Sequence, residues 1–222
     1  MFSVRRAGLC ALDDGAYEHV VDSQPAFLET VKGTLDAAGI KAAVVRYCPP
    51  LEEQNVDGFI AGGFLRDWVS RRIPRDLDLY IRRPEGASSL EDSLRRAGWT
   101  LDRMGLVSTS WRDSQQHVVQ VIRTEIENPS DCIARFDLTI CCAAMHLRSQ
   151  ATYCASSFTD DVRQRRLIIH NPAFPVDTLR RVSRFVSDGY TISADQLLAL
   201  HGRILREFHS HGVNAFRPYE LL

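Results

Sequence analysis

The chain has 222 residues, 45% of them apolar, and a formal net charge of −1; it can bury one sizeable core plus a small appendage, and its balance of charge carries no bulk signature of a nucleic-acid binder. Its cations are almost all arginine, with Lys32 and Lys41 the two lysines; arginine suits bidentate phosphate recognition, and biased genomic base composition would give the same skew. No apolar run approaches the ~20 residues that span a bilayer, and Met1-Phe2-Ser3-Val4-Arg5-Arg6 lacks the apolar stretch of a secretory signal, so a soluble cytoplasmic protein with no membrane partner is expected.

In chain order, Phe27, Leu28, Val31 and Leu35 recur at helical spacing and predict a helix over residues 25–38, with Gly39 as its stop. Residues 56–61 read as a strand feeding the Gly62-Gly63 turn, and residues 64–70 start a helix with Leu65, Trp68 and Val69 on its buried side. The next strand, residues 77–81, is entered through Arg75-Asp76-Leu77-Asp78. A helix over residues 90–97 stops at Gly98; residues 106–111 and 118–122 then pair as a hairpin around Arg112-Asp113-Ser114-Gln115-Gln116. Residues 136–142 form a more apolar strand, expected to be central. From about Pro175 the pattern is helical: residues 177–188 closed by Gly189, then a helix to about His209 whose Ser193 and Gln196 have capping-box spacing. This order predicts an α/β (α+β) fold, a mixed sheet with helices covering one face, with a domain over residues 1–165 and a helical extension over 166–222. The six cysteines show no metal-binding spacing and read as reduced thiols, and His209 with His211 as a surface pair.

Chemistry concentrates between residues 62 and 78. Alternate residues of a strand share a face, so Asp76 and Asp78 point the same way. Like charges held that close repel and call for a cation between them. Gly62 and Gly63 let backbone N–H groups approach a phosphate at a helix start. A turn or an Asp-x-Asp alone is ordinary; together they equip a site for phosphoryl or nucleotidyl transfer.

Gly62-Gly63-Phe64-Leu65-Arg66-Asp67, eight residues, then Asp76-Leu77-Asp78 resembles the nucleotidyltransferase signature of the DNA polymerase β superfamily, closest to its bacterial-type CCA-adding enzyme and poly(A) polymerase branch. The resemblance implies a small mixed-sheet nucleotidyltransferase fold with a neck-like helical appendage. It implies two Mg²⁺ (or Mn²⁺) ions on Asp76 and Asp78, and an NTP (ATP or CTP) whose triphosphate lies over Gly62 and Gly63. Arg66 would reach a phosphate while Asp67 fixes the turn. Arg135, Asp137 and Thr139 look like the branch's Arg-Arg-Asp-Phe-Thr-x-Asn-Ala motif for ribose and phosphates, with Phe136 in place of an arginine and Cys141 in place of the asparagine. Elsewhere in the superfamily a late-strand aspartate is the third metal ligand. The strand where this branch usually carries that acid offers Gln120 and no carboxylate before Arg123, so Asp137 is read as the third ligand, with Glu125 as fallback.

Downstream, Asp177-Thr178-Leu179-Arg180 is similar to the family segment Glu-Asp-x-x-Arg that reads the base edge, with Val176 where the family has glutamate and Arg184 following. An acceptor at Asp177 and a donor at Arg180, three residues apart on one helix, can match a base or simply pair with each other. Arg163, Arg165 and Arg166 form a basic cluster that would touch a nucleic-acid backbone or sit on an exposed turn. The function implied is metal-dependent transfer of an NMP to an acceptor. An RNA 3′ end is favoured, although Leu222 falls soon after the neck-like helices and leaves little surface to grip a tRNA. The rivals are a protein or small-molecule acceptor, toxin-like nucleotidylation, and a nucleotide-binding module without catalysis.

Overall fold

The computed structural model describes residues 29–52, 56–126 and 128–211. Its strands are β1 (Thr30–Lys32), β2 (Gly58–Ala61), β3 (Asp76–Ile81), β4 (Thr100–Met104), β5 (Ser108–Arg112), β6 (Val118–Arg123), β7 (Ala143–His146) and β8 (Thr152–Ala155). The helices are α1 (Ala37–Tyr47), α2 (Gly63–Val69), α3 (Pro84–Arg96), α4 (Pro129–Ile133), α5 (Phe158–Gln164), α6 (Pro175–Ser187) and α7 (Ala194–His211). The strands form one mixed sheet in the order β1-β8-β7-β2-β3-β6-β5-β4. Every neighbouring pair is antiparallel except β3 and β6, whose parallel register sets Asp76 beside Val118 and Asp78 beside Gln120. The expected α/β class is therefore what the chain adopts.

Alternation explains β3. Leu77, Leu79 and Ile81 are fully buried with Val119 and Val121 of β6, while Asp76, Asp78 and Tyr80 occupy the other face. Burying an aliphatic side chain of that size contributes about 2 kcal/mol, so a one-residue slip of β3 would exchange its apolar and acidic faces and is strongly opposed. Ala87, Leu90 and Leu94 of α3 join the same core, as do Val182 and Phe185 of α6.

Two expected elements fall differently. Residues 25–38 do not form a helix over their described part: residues 30–32 are β1, paired with β8, and α1 begins only at Ala37. Asp36 is its N-cap, accepting from Gly39 N at 3.0 Å, so the glycine expected to stop a helix lies in a first turn; Phe27 and Leu28 lie outside the described residues. Residues 136–142 are not one strand either. Leu138 makes a single bridge to Ile169, Thr139–Cys141 is a 3₁₀ turn, and pairing resumes at β7. The bend has a polar cause: Thr139 Oγ1 donates to the fully buried Asp161 at 2.7 Å, and Asp161 also accepts from Ser157 Oγ and Arg166 Nε, both at 2.8 Å. Ser193 Oγ accepts from Gln196 N at 3.3 Å as a cap should, but the Gln196 side chain turns to accept from Ile169 N.

Candidate functional site

The Gly62 bend positions everything downstream of β2. Gly62 has φ 81° and ψ −126°, a region open essentially to glycine alone. Its N–H donates to Ala143 O at 2.9 Å, tying the start of α2 to β7. A Cβ on Gly63 would meet Asp76 Oδ1 at 3.4 Å, an ordinary contact, which sets the bend directly against that carboxylate. The entry to β3 is fixed by Tyr47, whose hydroxyl accepts from Val118 N (3.1 Å) and donates to Arg75 O (3.0 Å).

These elements enclose a cleft of about 510 Å³, within the range of small-ligand sites. Its floor carries Asp76, Asp78 and Tyr80 from β3 with Gln120 and Ile122 from β6; Gly62, Gly63, Arg66 and Asp67 come from the bend and α2. Arg181, Arg184, Phe185 and Asp188, from α6 and its end, form the facing wall with Tyr190, and Arg72, Ile73 and Arg75 form the lip. Arg66 is locked in place: Nε donates to Asp67 Oδ1 at 2.9 Å, and the guanidinium lies 5.0 Å from the centre of the Phe185 ring. Arg184 lies 5.2 Å from the same ring, and Arg181 Nη2 reaches Cys141 Sγ at 3.4 Å.

Electrostatically the floor is under tension. Burial, and then the charge of Asp76, push Asp78 up to about 7, against partial relief from Arg181 and Arg66. Asp78 Oδ1 is buried with no hydrogen-bond partner. An orphaned carboxylate oxygen beside a second carboxylate is what a hard divalent cation satisfies, so Asp76 and Asp78 fit Mg²⁺ as ligands. Burial also raises Asp67, which the adjacent Arg66 opposes.

Of the residues expected to act, Gly62, Gly63, Arg66, Asp67, Asp76, Asp78 and Arg184 line this cleft together. Asp137 does not. It is 8% exposed, and its Oδ1 lies 3.1 Å from Arg181 Nη1 as an ion pair without hydrogen-bond alignment. Among the described residues no three acids, histidines or cysteines gather to hold a metal, and Glu125 is exposed and away from the cleft. Thr139 is committed to Asp161, and Arg135 is exposed outside the cleft. Asp177 and Arg180 pair with each other at 3.0 Å in the first turns of α6 and do not line the cleft. Arg166 is drawn to Asp161, with Nη2 at 2.6 Å from its Oδ1, while Arg163 and Arg165 are exposed.

The cleft also holds residues that the motifs had not singled out: Tyr80, Gln120, Arg181, Asp188 and Tyr190. Two of these had a signal. Tyr80 continues the alternation of Asp76 and Asp78, and Gln120 is the polar residue inside Val118-Val119-Gln120-Val121.

The fold is nucleotidyltransferase-like, as in CCA-adding enzymes. A CCA-adding enzyme in complex with CTP superposes with a TM-score of 0.62 at 15% identity, over 79% of this chain and 47% of that one. The Thermotoga maritima CCA-adding enzyme complexed with tRNA gives 0.57 at 15% identity, over 79% and 47%. A tRNA-processing enzyme in an apo form gives 0.57 at 16%, over 83% and 53%. The chain thus spans about half the length of these structures. No curated protein sequence matches it. By sequence, residues 27–165 match the model of Gad2, the Gabija anti-defense 2 family, and the chain belongs to that family.

Proposed function

We propose that this protein is a metal-dependent nucleotidyltransferase that moves an NMP from an NTP to an acceptor and releases pyrophosphate. The observation that carries the reading is the pairing of Asp76 and orphaned Asp78 on the floor of an arginine-walled cleft. Asp76 and Asp78 would hold Mg²⁺, which when bound neutralises phosphate charge and polarises the phosphoryl group under attack. Arg66, held by Asp67 and Phe185, meets the triphosphate as a fixed donor, and Gly62 and Gly63 let it approach the bend without a Cβ in the way. The acceptor hydroxyl attacks the α-phosphorus; its oxygen forms the new phosphodiester, its proton passes to solvent water, and the bond from the α-phosphorus to the bridging oxygen breaks, so that oxygen departs with the pyrophosphate. Arg184 and Asp188, one cationic and one anionic group on the wall facing the floor, take the base-reading role expected of Asp177 and Arg180.

The CTP and tRNA named for the similar structures support an NTP donor and an RNA 3′ end as acceptor. Membership of an anti-defense family favours seeking that acceptor, whether RNA or protein, in the defense system it opposes. A second reading, nucleotide binding without turnover, is favoured by one observation: among the described residues no third acid joins Asp76 and Asp78 in a metal-holding cluster. Incubation with Mg²⁺ and each α-labelled NTP, with RNA or with defense components, separates the two. Label transfer that disappears in Asp76→Ala and Asp78→Ala supports catalysis. NTP binding without transfer to any acceptor supports the module.

A further inference from the structure

On the strand beside Asp78, the polar side chain that lines the cleft is an amide. Gln120 stands beside Asp78 in the parallel register of β3 and β6, strands that lie about 4.8 Å apart, and both side chains line the cleft. Gln120 Nε2 donates to Ser108 Oγ at 3.3 Å, which leaves the carbonyl oxygen as its acceptor; among the described residues nothing donates to that oxygen. The acid that sequence nominated, Asp137, is spent on Arg181 and lies outside the cleft.

We propose that Gln120 is the third, neutral ligand position of this site, so that the protein alone holds one divalent cation and acquires a second only with the phosphates of its nucleotide. This rests on the nucleotidyl-transfer reading and goes beyond it by fixing how the ions are loaded. An amide oxygen can coordinate a cation or accept a hydrogen bond from a metal-bound water, and it adds no charge. Asp76 and Asp78 therefore face the four positive charges of two divalent ions; Arg66, Arg75 and Arg181 are already paired with Asp67, Asp188 and Asp137, and Arg72 and Arg184 around the cleft repel the ions further. A nucleotide triphosphate reverses that balance, because Mg²⁺ is commonly shared between one or two carboxylates and substrate phosphates. The second ion thus arrives with the nucleotide.

The test is Mn²⁺ binding to the full chain without nucleotide, followed by electron paramagnetic resonance, with folding checked by thermal denaturation. Wild type is expected to bind one ion. Gln120→Glu should add a second ion or tighten binding by about tenfold, and Gln120→Leu should weaken the single ion several-fold. Two ions bound by the wild type without nucleotide, or wild-type isotherms from both variants, overturn the proposal while leaving nucleotidyl transfer intact. Unchanged Mn²⁺ binding in Asp78→Ala removes the metal site altogether and takes the transfer reading with it.

Discussion

Replacing Asp78 by asparagine should make the metal-free protein more stable above neutral pH, although it removes a residue assigned to catalysis. Burial and the charge of Asp76 carry Asp78 from the ordinary 3.8 to about 7. A carboxyl whose folded pKa is raised binds its proton more tightly in the folded state. Its penalty is therefore absent below about pH 4, grows as pH rises through that interval, and is complete above about pH 7. Three units at 1.36 kcal/mol each set a ceiling of about 4 kcal/mol. Water entering the open cleft softens this, so a gain of about 2 kcal/mol is expected from Asp78→Asn at about pH 8. Urea denaturation of both proteins in chelator, repeated across pH, reads the difference directly. Equal stabilities at about pH 8, or a gap already present at about pH 4, would refute the reasoning. Added Mg²⁺ should then stabilise the wild type and not the variant, since only a ligand bound by the folded state shifts unfolding.

Other substitutions probe the frame around the floor. Gly62→Ala forces a side chain into a backbone conformation at φ 81° and should cost about 2 kcal/mol, seen as a lowered urea midpoint. Asp161→Ala leaves the donors of Thr139, Ser157 and Arg166 without their buried acceptor; a loss of about 3 kcal/mol by the same assay is expected. Arg184→Ala should weaken NTP binding about tenfold by calorimetry whereas Asp177→Ala leaves it unchanged, and the reverse order would return base reading to the family-like pair.

The parts of the site that local pattern dictates could be read from the chain itself. A diglycine bend and an alternating Asp-Leu-Asp-Leu-Tyr strand need no partner to declare their geometry, and both stand where expected. The α6 helix was equally legible, but not the portion of it that meets the cleft. Asp177, Arg181, Arg184 and Asp188 follow one another at four-, three- and four-residue steps along one stripe, and the floor lies against the later turns. Asp177 and Asp188 differ in position along the axis, and which of them meets the cleft only tertiary packing decides. The bend at Thr139 was hidden for a related reason: an apolar run reads as a strand until Asp161, more than twenty residues later, supplies a polar anchor. β4 and β8 escaped because Thr100–Met104 is exposed throughout and Thr152–Ala155 is only four residues long.

The pairing of β3 with β6, the one parallel pair among the described strands, carries a consequence for biogenesis. Both aspartates leave the ribosome long before Val118 and Gln120 do, with α3, β4 and β5 intervening. A nascent chain at that stage owns the acidic pair but neither the strand beside it nor the arginine wall from α6. If the proposed nucleotidyl transfer holds, competence to hold a nucleotide comes late in synthesis, and truncations ending between residues 81 and 175 should carry the signature without the activity.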